Sequence, residues 1–161
     1  MLDILTVSND SEGILRRRAA KVDDPTSDEM RALIPEMIET MREDGVGLAA
    51  PQIGRSIRLF VVEVDGRVSV YFNPVIVRYS EERSVTEEGC LSVPGVWKNV
   101  SRPEGIRMEY TDINGKRSTI DAGGFLARVL QHEYDHLEGI LFTDRADTEP
   151  VDDTLKNAYV I

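Results

Sequence analysis

The most informative segment of the chain is DAGGFLARVLQHEYDHLEG, residues 121–139. It is predicted to form a helix over residues 121–138, with Asp121 as the N-terminal cap and Gly139 as the residue that ends it. Short acidic side chains favour helix starts and glycine favours helix ends, so each boundary has a physical reason. The helix also carries both histidines of the chain. It is therefore the first candidate for a functional site.

Within this helix, the spacing of the polar residues indicates a metal site. His132 and His136 are four residues apart, so on a helix both imidazoles project from one face. Phe125 and Val129 continue the same stripe as an apolar wall. Glu133 lies beside the first histidine, where it can reach a metal-activated water without binding the metal, which is the HExxH arrangement. The alternative, two unrelated core histidines, leaves both the spacing and the intervening glutamate unexplained.

A third metal ligand has to come from elsewhere, because a catalytic site normally has three protein ligands and one open position. The acidic residues downstream follow no pattern. Cys90 lies upstream in EGCLSVPG, residues 88–95, between Gly89 and Pro94. On position alone, a lone cysteine is as compatible with a small buried hydrophobe as with a ligand. The glycine and proline around it favour the ligand.

A glycine-rich segment, GVGLAAPQIG at residues 45–54, precedes the first predicted strand. Its glycines allow backbone conformations barred to other residues, and Pro51 stiffens its middle. No Lys or Ser/Thr follows where a phosphate-binding loop requires them. Gln52 is the one polar side chain among apolar neighbours, and its amide can donate to a carbonyl oxygen while accepting from another group. On its own, the segment is typical of a structural turn.

Another helix is predicted before this segment. Thr26 and Glu29 have the spacing of a capping box, and an apolar stripe follows at helical spacing. We interpret the stripe as core rather than as a methionine-lined binding groove. Pro35 lies inside the pattern and is expected to kink the helix or delay its start. The stripe consists of Met30, Leu33, Ile34, Met37, Ile38 and Met41.

The first of two predicted hairpins follows the glycine-rich segment. A strand at residues 57–64 leads through the tight turn Asp65-Gly66 into a strand at 68–72. Asn73-Pro74 is expected to separate this strand from another at 75–79.

The second hairpin is predicted at residues 106–113 and 117–121, joined by Asn114-Gly115. Hairpins and two helices without βαβ alternation indicate an α+β fold. We therefore expect antiparallel β-sheets packed around the central helix that carries the HExxH motif.

Length and composition limit the class of protein. The chain has 161 residues, which suits one domain over residues 1–161, ending in a short acidic tail at 143–161. Its 19 Lys and Arg against 29 Asp and Glu give a net charge of −10, which disfavours binding to nucleic acid or a membrane surface. The single cysteine excludes an intramolecular disulfide and a multi-cysteine zinc site. No signal peptide or membrane-spanning apolar run is present, so a cytoplasmic protein is expected.

Taken together, three segments resemble the signatures of the peptide deformylase family, GxGLAAPQIG, EGCLSxPG and QHExDHLxG. Residues 45–54, 88–95 and 131–139 match every fixed position in the same order. The similarity extends to FNPVI at 72–76, VSRPEGI at 100–106 and GILFTDR at 139–145.

The resemblance implies hydrolysis of the N-formyl group from the initiator methionine of nascent polypeptides, with release of formate. Cys90, His132 and His136 would hold one divalent metal, with water in the fourth position. Glu133 would deprotonate that water and later protonate the leaving amine. In this family the metal is usually Fe²⁺, and Zn²⁺, Ni²⁺ or Co²⁺ are possible substitutes.

The resemblance also implies how the substrate is held. The Gln52 amide and the backbone N–H of Leu91 would stabilise the developing oxyanion together with the metal. Gly45 and Gly47 would belong to the substrate-binding site, with Gly47 meeting the peptide backbone. The methionine pocket would be lined by Val46, Phe125 and Val129 with the His132 ring.

Two features depart from the family pattern. Trp97 stands where many members carry an arginine or another residue near the substrate, so the preference beyond methionine is expected to differ. The C-terminal tail is acidic, whereas some bacterial members end in a basic-faced helix that docks on the ribosome. We therefore expect weak or absent ribosome docking by the tail, and a monomer.

Two other functions remain open. A metallopeptidase acting on short peptides would share the HExxH chemistry, but it would cleave unformylated peptides and use a third ligand other than Cys90. A non-catalytic metal-binding module would need a closed four-ligand site. The chain offers only Cys90, His132 and His136 plus acidic residues.

Overall fold

A five-stranded sheet, a three-stranded sheet and two long helices form the described part of the chain, residues 1–146 and 159–161 of a computed structural model. The helices are α1 (Asp28–Asp44), α2 (Gly124–Leu137) and the short α3 (Phe142–Arg145). The strands are β1 (Gly47–Ala49), β2 (Leu59–Val64), β3 (Arg67–Tyr79), β4 (Arg83–Cys90), β5 (Val93–Pro103), β6 (Gly105–Thr111), β7 (Arg117–Gly123) and β8 (Tyr159–Val160).

The two sheets lie on either side of α2, which packs against strands of both. The larger sheet has the order β1-β2-β3-β6-β7, and each neighbouring pair is antiparallel. The smaller sheet has the order β5-β4-β8, with β4 antiparallel to β5 and parallel to β8. Helix α2 packs against strands of both sheets, whereas α1 packs against β1 and β2. The predicted α+β class, with antiparallel sheets around the HExxH helix, is confirmed.

Strand β2 forms the centre of the core because both of its faces are covered. Phe60 and Val62 pack in the cluster that includes α2, and Leu59 and Val61 pack in the cluster that includes α1. Successive side chains of a strand point to opposite faces, so this strand needs a continuous apolar run. The four apolar residues 59–62 at the start of β2 are therefore what the sequence shows of a strand that lies between two helices.

Strand β3 differs from the prediction, because Asn73-Pro74 does not end it. The strand continues to Tyr79, with a shift of register against β6 between Phe72 and Val75. Asn73 adopts a positive φ of 48° at this bulge. Its side chain donates to the Val22 carbonyl oxygen and accepts from the Val22 N–H, each at 2.8 Å. Asn73 and Pro74 lie in the bulge without pairing to β6, and the pairing resumes at Val75. One strand therefore forms where two were expected.

Helix α1 begins at a different cap from the one predicted. Ser27, not Thr26, is the N-terminal cap, and its Oγ accepts from the Met30 N–H at 3.3 Å. The Thr26 hydroxyl donates to Asp24 instead. The predicted apolar stripe is buried as core, apart from the half-buried Ile38.

Pro35 does not delay the start of α1, so that part of the prediction is wrong. The helix runs through it from Asp28 to Asp44. Pro35 and Arg31 both lie on the exposed face. The Arg31 carbonyl group, which loses its helical donor to the proline, is therefore close to water.

Helix α2 starts at Gly124, three residues after the predicted Asp121. Asp121 belongs to β7 and forms an ion pair with Arg107 on β6, and the helix is capped by Gly123. Gly139 does end the helix, with a φ of 73°. A Cβ atom on Gly139 would lie 2.5 Å from the Arg16 carbonyl oxygen, so only glycine fits.

The second predicted hairpin is confirmed as β6 and β7. The first strand ends at Thr111 rather than at residue 113, because Asp112 starts the turn. Its Oδ1 accepts from the backbone N–H groups of Asn114 and Lys116, each at 2.9 Å.

The end of the chain completes the smaller sheet. Strand β8 pairs with β4 beside Gly89, and Ile161 is fully buried. Residues 147–158, which hold most of the predicted acidic tail, lie outside the described residues. No helix among the described residues is both long and apolar enough to cross a membrane.

Candidate metal centre

Three potential metal ligands converge between α2 and the end of β4. The ligand atoms of Cys90, His132 and His136 all lie within 4.8 Å of one another. Cys90 Sγ is 3.3 Å from His136 Nε2. All three side chains are buried. The smaller sheet thus brings the cysteine to the face of α2 on which the two histidines project.

Glu88 fixes the orientation of His132. In the tautomer that leaves Nε2 free, His132 Nδ1 donates to Glu88 Oε1 at 2.8 Å. Burial alone would raise the pKa of the Glu88 carboxyl group, but hydrogen bonds from His132 and Arg102 hold that pKa well below its ordinary value. A carboxylate behind a ligating histidine sets the ring orientation and raises its basicity.

Glu88 is itself held by a buried network of arginines. Arg102 binds it through Nε at 2.7 Å and Nη2 at 3.0 Å, and Arg128 Nη1 binds it at 2.6 Å. Arg102 Nη1 also donates to Asp135 at 2.9 Å, and Arg145 binds Asp135 through Nε and Nη2. These ion pairs connect β4, β5, α2 and α3 beneath the three ligands.

Glu133 is fully buried, and neither carboxyl oxygen has a hydrogen-bond partner among the described residues. Burial raises the pKa of this carboxyl group well above its ordinary value. Gly47 on β1 faces it closely, because a Cβ atom there would lie 2.4 Å from Glu133 Oε1. The group is therefore poised to hold or transfer a proton near the metal ligands.

The donor atoms fit a divalent metal ion. His132 Nε2 is buried without a partner in the described part of the chain, and His136 turns its Nε2 towards Cys90 Sγ. Burial lowers the pKa of His136 well below its ordinary value, so its imidazole is neutral and able to coordinate. Burial also raises the pKa of the Cys90 thiol to about 12, so a metal would have to displace its proton. One sulfur and two imidazole nitrogens suit the borderline transition metals.

Gln52 reaches the same place from the glycine-rich segment. Its Oε1 accepts from the Ala49 N–H at 2.8 Å, which fixes the amide orientation. Its Nε2 lies 3.2 Å from Ser92 Oγ and 3.6 Å from Cys90 Sγ. The amide donor is therefore directed at the ligand cluster.

The glycine-rich segment, residues 45–54, and the cysteine segment, residues 88–95, also contact each other at Gly45 and Leu91. A Cβ atom on Gly45 would lie 3.3 Å from Leu91 Cδ1, and Leu91 is half-buried against the α1 core. Strand β1 and the segment after Cys90 thus lie side by side.

The residues expected in the methionine pocket lie along one side of α2. Val129 is fully buried, and Val46 and Phe125 are half-buried against the same cluster. Trp97 on β5 lies apart from them. Its ring packs on Gly89, where a Cβ atom would lie 2.6 Å from Trp97 Cζ3, and the side chain remains 41% exposed.

The sequence analysis missed the buried network behind the ligands. Glu88, Arg102, Arg128 and Asp135 all lie in the segments described above, but their sequence patterns give them no role. A usable signal existed, because a ligating histidine needs a partner for its second nitrogen and buried charges come in pairs. What the sequence does not contain is the strand pairing that brings Glu88 and Arg102 to α2.

An HExxH helix with a converging cysteine and a buried glutamate, in an α+β fold, is typical of metal-dependent hydrolases. The family model described as polypeptide deformylase matches residues 1–151. On these grounds the chain belongs to the polypeptide deformylase family.

Known relatives agree with this membership. A peptide deformylase of Treponema pallidum (strain Nichols) is 52% identical over 139 residues, covering 84% of this chain and 86% of that protein. Peptide deformylase 1 of Clostridium perfringens is 52% identical over 139 residues, with 84% and 92% covered. The crystal structure of a peptide deformylase from Synechococcus elongatus superposes with a TM-score of 0.86 at 41% identity, covering 92% of this chain and 80% of that one.

Proposed function

We propose that this protein removes the N-formyl group from the N-terminal formyl-methionine of nascent polypeptides and releases formate. The observation that carries the proposal is the buried cluster of Cys90, His132 and His136 beside the fully buried Glu133, in a chain of the polypeptide deformylase family.

Cys90, His132 and His136 would hold one divalent metal ion. When bound, that ion supplies a Lewis acid that polarises the formyl carbonyl group and lowers the pKa of a water molecule. We propose Fe²⁺ as the native metal, with Zn²⁺, Ni²⁺ or Co²⁺ as substitutes. Glu88 holds the His132 ring in place through Nδ1.

Glu133 is the proton-transfer group. Its buried carboxyl group has a raised pKa. It can therefore take a proton from the attacking water and give one to the leaving amine. The close approach of Gly47 keeps this carboxyl group beside β1.

Charge on the formyl oxygen is stabilised by fixed donors. Because the Gln52 oxygen is held by Ala49, its NH₂ group faces the ligand cluster and can donate to the oxyanion. The backbone N–H of Leu91, the residue after Cys90, is the second donor. The Gln52 donor is held in this orientation before the substrate binds.

The peptide is proposed to lie along Gly45 and Gly47. Val46 and Phe125 would form the walls of the methionine pocket, with Val129 as its floor. Trp97 packs on Gly89, the residue before Cys90, and remains partly exposed. It would contact the peptide residues that follow the methionine.

The remaining proposals concern the whole chain. We propose a single catalytic domain over residues 1–161, acting as a cytoplasmic monomer without binding nucleic acid or membranes directly. Contact with the ribosome would be transient, and weak by the acidic tail, most of which lies outside the described residues.

The decisive measurement is formate release from a formyl-methionyl tripeptide. The protein is purified without oxygen, and its metal content per chain is determined. We expect formate with about one metal per chain and no cleavage of the unformylated peptide. The Glu133→Gln variant should keep its metal and lose activity by about 100- to 10,000-fold. Glu43→Gln, an exposed acid on α1, is the matched control and should be unchanged.

Two outcomes would contradict the proposal. A folded, fully metallated protein that releases no formate would rule out deformylation. Cleavage of the unformylated peptide at a similar rate would indicate a metallopeptidase instead. Reconstitution with Fe²⁺ and Zn²⁺ in separate samples tests the proposed metal, since Fe²⁺ should give the higher rate.

A further inference from the structure

A cavity of about 360 Å³ lies on the side of α2 that faces away from the three metal ligands. Gln131, Tyr134 and Asp135 line it from the helix, and the two histidines and Glu133 do not. Strands β3, β4 and β5, Ser80 between β3 and β4, and helix α3 contribute the other walls. The volume is in the range of small-molecule sites in proteins. The deformylase mechanism makes no use of this cavity.

The lining of the cavity has an excess of positive charge, although the chain as a whole carries a net charge of −10. Among the residues that line it, three guanidinium groups, those of Arg83, Arg102 and Arg145, accompany one carboxylate, that of Asp135.

Two of the arginines that line the cavity keep donor groups for a ligand. Arg83 uses Nε and Nη2 for the hydroxyl and carbonyl oxygens of Ser101 and has no carboxylate partner among the described residues. Arg145 uses Nε and Nη2 for Asp135. The Nη1 group of each has no hydrogen bond within the described chain. Guanidinium groups bind phosphate and carboxylate groups well because their donors lie in one plane.

The rest of the lining is aromatic and apolar. Tyr79 and Tyr134 contribute their rings, and Ile76 and Pro103 contribute aliphatic surface. Such a lining suits a flat apolar group attached to the anion.

We propose that this cavity binds a small phosphate ester with a flat apolar body, its phosphate held by Arg83 and Arg145. The Arg102 guanidinium group at the same cavity is fully engaged by Glu88 and Asp135. Its positive charge attracts the phosphate, but it has no hydrogen bond to give. The site is separate from the metal centre and does not depend on the proposed deformylation.

The test uses the full chain loaded with Zn²⁺, which is diamagnetic, and phenyl phosphate as the probe. Titration followed by amide NMR shifts should saturate, with the shifts centred on residues 76–83, 101–103 and 131–135. Arg83→Gln should weaken binding by about tenfold, as loss of a charge-assisted hydrogen bond predicts. Arg117→Gln, an exposed arginine of β7 paired with Glu109, removes the same charge elsewhere and should leave the affinity unchanged.

Two further probes test the parts of the ligand. Benzyl alcohol, which lacks the charge, should not bind, and inorganic phosphate should bind at the same residues with lower affinity than phenyl phosphate. Equal affinity of the two phosphates would overturn the role of the tyrosine rings.

Three results would overturn the site itself. They are the absence of saturable binding, shifts centred on Gly47 and Leu91 at the metal centre, and equal affinities of the wild type and Arg83→Gln. Equal weakening by Arg117→Gln would show general charge attraction and also contradict the proposal. Thermal unfolding of each variant confirms that the comparison is between folded proteins.

Discussion

At the scale of single residues, Gly47 shows how the backbone makes room for chemistry. A Cβ atom at this position would lie 2.4 Å from Glu133 Oε1 and 2.9 Å from the carboxyl carbon. Real Cβ atoms do not approach other atoms so closely, so a side chain here has to displace the Glu133 carboxyl group or β1. The glycine was expected to contact only the peptide backbone, and the structure adds this second reason for it.

Gly47→Ala should therefore reduce kcat/KM by about 100-fold, because a displacement of about 1 Å at a catalytic group has an effect of that size. Formate release and metal content would be measured on the same sample, and the metal content should stay near that of the wild type. Gly123→Ala is the control, since the nearest atom to a Cβ there is 4.0 Å away. Wild-type activity of Gly47→Ala would refute the contact.

At the scale of elements, the start of α1 separates a sequence rule from the structure. Both Thr26 and Ser27 are good capping residues, and Thr26 alone has a glutamate three positions later. In the structure, the Thr26 side chain and N–H are engaged by Asp24, so the next residue caps the helix. A local turn at Asp24 thus overrides the capping-box pattern that favours Thr26.

Ser27→Ala should lower the free energy of unfolding by about 1 kcal/mol, the usual cost of losing an N-terminal cap. Thr26→Ala should cost less than half of that, because its bonds lie outside the helix. Urea unfolding of the two variants under identical conditions measures both values. A larger loss for Thr26→Ala would mean that the helix begins one residue earlier.

The same reasoning explains which elements could be predicted. The type and order of both long helices and both hairpins follow from periodicity and from turn residues such as Asp65-Gly66 and Asn114-Gly115. The strand break at Asn73 was wrong because a bulge, held by a contact with the distant Val22, continues the strand. The early start of α2 was wrong because Asp121 is paired with Arg107 across the sheet. The first error comes from a contact between segments 51 residues apart, and the second from an ion pair between the two strands of one hairpin.

At the scale of the whole molecule, the site residues that lie in one segment could be predicted from the sequence. Those whose partners come from several distant segments could not. The spacing of His132 and His136 implied one helix face, and their rings are 5.2 Å apart. Cys90 became a firm candidate only through the family resemblance. Glu88 could not be assigned, because its partners come from β5 and α2.

The buried network also predicts how stability changes with pH. The folded-state pKa of Glu88 is lowered below its ordinary value of about 4.5, so its contribution is fully present above that pH and is lost as the pH falls. The free energy of unfolding of the metal-free protein should therefore decrease progressively from about pH 5 downwards.

Glu88→Gln should make this decrease shallower and should lower stability at neutral pH, because Arg102 and Arg128 lose their shared carboxylate. Glu63→Gln is the control, since Glu63 is paired with Arg42 at an exposed site and should change the slope little. Urea unfolding at a series of pH values gives both slopes. Equal slopes for the wild type and Glu88→Gln would show that another group governs the acid response.

The contact between Trp97 and Gly89 gives the protein a built-in optical reporter. Trp97 is the single tryptophan of the chain, and its ring rests on the residue that precedes Cys90. Its fluorescence therefore comes from one place, next to the thiol that would bind the metal. A coloured ion such as Co²⁺ should quench this emission by energy transfer as it binds, whereas Zn²⁺ should not. Metal loading, exchange and loss can thus be followed in real time, without a label, on the unmodified protein.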